Sequence, residues 1–129
     1  MIAADTNVWA RAYLDDDATQ TRKARAAIKA ACEADGIFVP LLVLAELAWV
    51  LRGRWERERV LDTLEEILTT DGVVVESWTV AERALVASRV GTVGLADLLI
   101  AEVSFAAGVR EIITFDRAFG RLSRVRRLS

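Results

Sequence analysis

Four acidic residues fall at positions where carboxylate chemistry would be useful. Asp5 directly follows a short apolar opening, and Asp116 follows the apolar run Ile112–Thr114 almost as directly. Asp97 stands at the head of an apolar stretch, in Gly-Leu-Ala-Asp-Leu-Leu-Ile. Glu46 is the only charge between Asp35 and Arg52, in Leu-Leu-Val-Leu-Ala-Glu-Leu-Ala-Trp-Val. Carboxylates are hard oxygen donors of the kind magnesium takes, alongside waters and substrate phosphates. Two of them about 4 Å apart repel by roughly 4 kcal/mol at an effective dielectric near 20, so gathering four calls for cations. Brought together, they would polarise a phosphodiester and activate a water to cleave it.

Each position also has an ordinary structural reading. Asp5, Asp97 and Asp116 all stand where a helix would begin, and aspartate is a preferred N-cap. Glu46 is harder to explain this way, because periodicity places it inside an apolar helix. A buried carboxylate without a partner costs several kcal/mol, so it must reach the helix edge, pair with arginine or face a metal.

The chain has no histidine. That removes Ser–His–Asp triads, Cys–His pairs, imidazole acid–base catalysis of RNA cleavage and His-containing zinc sites. Hydrolytic chemistry here must come from carboxylates and hard cations. The single cysteine, Cys32, cannot form an internal disulfide and reads as a small half-buried hydrophobe on a helix.

The elements that would position these acids follow from the apolar pattern. Short β-rich runs occur at Met1–Ala4, Ile37–Val39, Val73–Glu76 and Glu111–Thr114, with a weaker one at Val125–Leu128. Between them, 18–34 reads as an alanine-rich helix opened by the Asp15–Asp17 run, and Leu41–Arg52 as an apolar helix after Pro40. Arg57–Thr70 is amphipathic, Thr79–Val90 is helical, and Ala96–Ala107 ends at Gly108. Strands alternating with helices predict an α/β, three-layer α/β/α fold with a mainly parallel four- to five-stranded sheet, as a single domain over 1–129. In such sheets ligands bind beyond the carboxyl ends of the strands, where Asp5 and Asp116 fall.

The net charge of −2 argues against a uniformly basic nucleic-acid binder. Its distribution is uneven: 110–129 holds six arginines against Glu111 and Asp116, and Arg52, Arg54, Arg57 and Arg59 form a second cluster diluted by Glu56 and Glu58. An acidic site framed by arginines suits a phosphodiester held over metal ions, while a solvated helix face is the plain alternative. Of the four tryptophans, Trp9 and Trp49 read as core or interface, and Trp55, among arginines, as a candidate for stacking on bases. The longest apolar stretch is too short to span a bilayer, and no basic leader opens the chain. A cytoplasmic protein with no membrane association is expected.

Four blocks in order, IAADTNVWARAYLDDD, FVPLLVLAELAWVLRGRW, GLADLLIAEVSFAAG and IITFDRAFGRL, resemble the PIN-domain family, and within it the VapC-type toxins of toxin–antitoxin pairs. The resemblance covers essentially the whole chain. It implies that Asp5, Glu46 and Asp97 are the first three acidic metal ligands and Asp116 the fourth, with Asn7 and Thr114 as supporting polar residues. It also implies a Mg²⁺- or Mn²⁺-dependent endoribonuclease that hydrolyses RNA, a homodimer, and inhibition by a small antitoxin protein. Many relatives carry a further aspartate three residues before the third acid; here that position is Gly94, which puts a second ion in the free protein in doubt.

Other readings remain alongside it. A housekeeping PIN nuclease would process RNA precursors, and an inactive RNA-binding or interaction module would keep the fold alone. A phosphoacceptor domain also clusters aspartates at a parallel sheet edge, but it needs a lysine near the last strands, and the only lysines are Lys23 and Lys29.

Overall fold

Short apolar strands separated by helices form along the chain in the expected order. The structure, a computed structural model, describes residues 1–129. They divide into two compact units, Met1–Trp78 and Thr79–Ser129.

The first unit is built on strands β1 (Ile2–Ala3), β2 (Ile37–Val39) and β3 (Val73–Val75), in the order β1-β2-β3 with both pairings parallel. Ile2 pairs with Ile37, and Ile37 with Val73. The central strand carries the burial: Ile37 and Val39 are buried, which is why its residues are apolar without alternation. Helices α1 (Thr6–Tyr13) and α2 (Ala18–Glu33) connect β1 to β2, and α3 (Leu41–Arg52) and α4 (Arg57–Thr69) connect β2 to β3. Leu47 and Leu51 of α3 and Leu64 and Ile67 of α4 are fully buried and supply the core. Asp17 caps α2, its side chain accepting from the Gln20 N–H at 3.1 Å. Gly72, at φ +91, is required where it stands, since a Cβ there would lie 2.5 Å from the Cys32 carbonyl oxygen.

Helix α1 begins where the Asp5 cap suggested, but its extent was not identified from the sequence. It has eight residues, and its apolar positions (Val8, Trp9, Ala10 and Ala12) do not repeat at a clean helical period. It is fixed by its cap at Asp5 and by packing against α2 and α3, which bury Trp9, Ala10 and Ala12.

The second unit contains most of helix α5 (Trp78–Val90), then α6 (Leu95–Ala106), strands β4 (Ile112–Thr114) and β5 (Val125–Arg127), and a 3₁₀ turn at Phe119–Arg121 between the strands. β4 and β5 pair in parallel, Ile112 with Val125. Ala84, Leu85, Leu98, Leu99 and Phe119 are buried.

The α/β class and the parallel pairing of all five strands are as expected, and α3 and β2 have the expected bounds. The ladders, however, are grouped as three strands plus two rather than as one sheet of four or five. Apolar runs identify strands but carry no information on which edges meet. No helix is long and apolar enough to cross a membrane.

Candidate active site

In the first unit, Asp5 is the N-cap of α1. Its backbone is extended, and its Oδ1 accepts from the Val8 N–H at 3.1 Å. The next residue, Thr6, donates its hydroxyl to Oε1 of Glu46 at 2.8 Å, which holds the Glu46 carboxylate against the first turn of α1. Asn7 is exposed on the same turn. Thr6 was not among the residues singled out from the sequence. The only signal for it was a hydroxyl directly beside Asp5.

Glu46 is exposed, contrary to the expectation of a carboxylate enclosed in an apolar helix. At 100° per residue, Leu42, Glu46 and Trp49 share one stripe of α3, while Val43, Leu44, Leu47 and Leu51 share the buried one. Apolar residues flank Glu46 because that helix has apolar residues on both faces. Trp49 follows the same correction: it is 83% exposed and does not belong to the core, whereas Trp9, at 2%, does.

In the second unit, Asp97 is not a cap. Gly94 is the N-cap of α6, without a side-chain bond, and Asp97 lies inside the first turn. It is half-buried, and that burial, with a smaller contribution from the nearby Asp116 carboxylate, raises its pKa above the ordinary aspartate value. Asp116 is not a cap either, since Ala118 is the N-cap of the 3₁₀ turn, but its side chain is fixed beside that turn. Its Oδ2 accepts from the Phe119 N–H at 2.7 Å at the head of the 3₁₀ turn, and its own N–H donates to Oγ1 of Thr114 at 3.0 Å. Thr114 therefore sets the position of Asp116. A Cβ at Gly94 would meet nothing within 4 Å, so the absence of an aspartate there is a matter of sequence and not of space.

The two units thus each bring two of the four acids into relation, Asp5 with Glu46 through Thr6, and Asp97 with Asp116 through their charge. No group of three or more acidic, histidine or cysteine side chains stands close enough to hold a metal ion. None of the four is ion-paired to an arginine or lysine, although Asp15, Asp16, Glu33 and Glu111 all are. The arginine clusters are partly engaged elsewhere. Arg54 grips Asp16 through two 2.7 Å bonds, and Arg59 lies 3.8 Å over the ring of Trp55, covering one of its two faces. Arg126 binds Glu111, and Arg124 is held by the Val109 and Arg110 carbonyls and the Phe105 ring.

The family model of the PIN domain matches residues 2–125. The chain belongs to the PIN domain family. PIN domains are generally metal-dependent nucleases and act on nucleic acid. The helices and parallel strands of this chain are compatible with that fold. No curated protein matches the sequence. The donors of this PIN domain are all oxygen, and Asp97 combines desolvation with a neighbouring carboxylate and no basic partner. A hard divalent cation is the counter-charge such a pair fits.

Proposed function

We propose that this PIN domain, a single domain over 1–129, is the endoribonuclease toxin of a toxin–antitoxin pair. The observation that carries the reading is the pairing of Asp97 with Asp116, a half-buried carboxylate raised in pKa beside a second one, within a chain that matches the PIN family over residues 2–125. Asp5, Glu46, Asp97 and Asp116 would hold Mg²⁺ or Mn²⁺, in keeping with their residue-by-residue correspondence to the family's acidic positions. The bound cation would neutralise the carboxylates and activate water for hydrolysis of the RNA phosphodiester. The protein's own groups do the positioning. Thr6 orients Glu46, Thr114 and the Phe119 N–H orient Asp116, and Asn7 lies beside Asp5 to contact substrate. Arginines without a partner in the fold, such as Arg117 and Arg121, would contact backbone phosphates and give affinity with little sequence choice. The cytoplasmic setting, the homodimer and the inhibitory antitoxin belong to the same reading and rest on the resemblance to VapC-type chains.

The test is cleavage of total cellular RNA by the purified chain with Mg²⁺, Mn²⁺ or chelator, beside Asp5→Asn and Asp97→Asn. Metal-dependent cutting that both substitutions abolish, in variants that circular dichroism shows to be folded, supports the reading. A folded wild type that fails to cut RNA under every metal condition, with no antitoxin co-purified, would sink it.

A further inference from the structure

We infer that the crevice between α1 and α2, lined by Asn7, Arg11, Gln20 and Lys23, is a subsite for a backbone phosphate of the nucleic-acid substrate; this rests on the nuclease reading above. The crevice has a volume of about 260 Å³, with Val8, Ala24 and Ala27 as its apolar walls. Both charges that line it are positive, and no acid does. Two other crevices of this unit carry acids. One, of about 560 Å³, sets Arg25 and Lys29 against Glu33, Glu66 and Asp71, and the other, of about 280 Å³, shares Asn7 and Arg11 with the proposed subsite and holds the Asp16–Arg54 pair.

The polar groups in the crevice leave hydrogen-bonding capacity unused within the protein. The side chains of Asn7, Gln20 and Lys23 make no hydrogen bond or ion pair, and the Nε of Arg11 is enclosed without an acceptor. Arg11 feels the charge of Asp16, but Arg54 already holds that carboxylate bidentately. Two cations and two amide donors, held by facing helices with no acid among the lining residues, are suited to an oxyanion with several acceptor oxygens. Their placement matches the proposed chemistry. Asn7 and Arg11 stand about 3 and 9 Å beyond Asp5 along the axis of α1, so a strand with one phosphate at Asp5 would run toward the crevice.

The experiment uses the full chain in chelator, where binding is separated from cleavage, and follows the anisotropy of a short labelled single-stranded RNA over a salt series. Lys23→Gln should weaken binding several-fold and reduce the slope of log affinity against log salt by about 0.7, one phosphate contact on a single strand. Arg11→Gln should do the same if it folds; Lys23 is exposed, so its variant serves where Arg11→Gln does not. Lys29→Gln, whose ammonium is near Glu33, should leave the slope unchanged. With Mg²⁺, Lys23→Gln should raise KM and leave kcat in place. An unchanged slope in folded Lys23→Gln overturns the inference. If that variant still cuts RNA normally, the nuclease reading survives; if the wild type neither binds nor cuts RNA, both fall. Loss of pyrophosphate binding without loss of RNA binding would assign the crevice to a free phosphate compound and also overturn it.

Discussion

The hydroxyl of Thr6 donates to Oε1 of Glu46 at 2.8 Å, joining the first turn of one helix to the middle of another forty residues away. Such a bond aligns a carboxylate that is otherwise free to rotate on an exposed face. Bonds to charged groups contribute about 1.5–3 kcal/mol when shielded from water, and solvent at Glu46 places this one at or below the low end of that range. Thr6→Val should lower the melting temperature slightly and weaken Mn²⁺ binding by about tenfold, the scale seen when partners of metal-binding side chains are removed. Thr6→Ser should restore both. Calorimetric titration with Mn²⁺ checks this, and equal affinity in all three proteins would show that the bond positions nothing.

Asp5 has two separable roles, because asparagine caps helices about as well as aspartate. Asp5→Ala should cost about 1 kcal/mol through loss of the bond to the Val8 N–H, measured by urea unfolding. Asp5→Asn should keep most of that stability. Both should lose RNA cleavage. Activity retained in Asp5→Asn would reduce Asp5 to a cap.

Asp97 gives a pH signature whose sign follows from its raised pKa. The unfolded chain releases this proton near 3.8, while the folded chain holds it to higher pH. Stability therefore falls as pH rises from the unfolded value through the folded one, and it stays reduced above that. Metal-free Asp97→Asn should melt higher than wild type at neutral pH, with the difference closing as pH approaches 3.8. Added Mn²⁺ should raise the melting temperature of wild type and leave the variant nearly unmoved. Scanning calorimetry at several pH values reads both effects.

Trp9 and Trp49 should respond in opposite ways to the same substitution. Trp9 is 2% exposed, so Trp9→Ala should cost about 3–5 kcal/mol and leave a marginal fold. Trp49 is 83% exposed, and Trp49→Ala should change stability by no more than about 0.5 kcal/mol. Chemical denaturation of the two variants decides it, and a large loss at Trp49 would contradict its solvent-facing position.

Much of this was legible in the linear chain because it depends on local rules. The bounds of β2 and α3 follow from consecutive apolar residues and from Pro40; Asp17 caps α2 as an aspartate before an alanine-rich run should. The absence of histidine removed imidazole chemistry and turned the hydrolytic reading mainly to carboxylates, and the order of the four motif blocks pointed to the PIN family. What the sequence could not determine involves residues far apart along it. Helix α1 has too few turns to show a period and is settled by the surfaces it packs against. Whether Glu46 and Trp49 face the core or water depends on which stripe of an almost wholly apolar helix is covered, and only packing decides that. The bond from Thr6 to Glu46, the engagement of Arg54 and Arg59, and the shared field of Asp97 and Asp116 are through-space relations. Periodicity reports the face of an element; the neighbour on that face is set by tertiary structure.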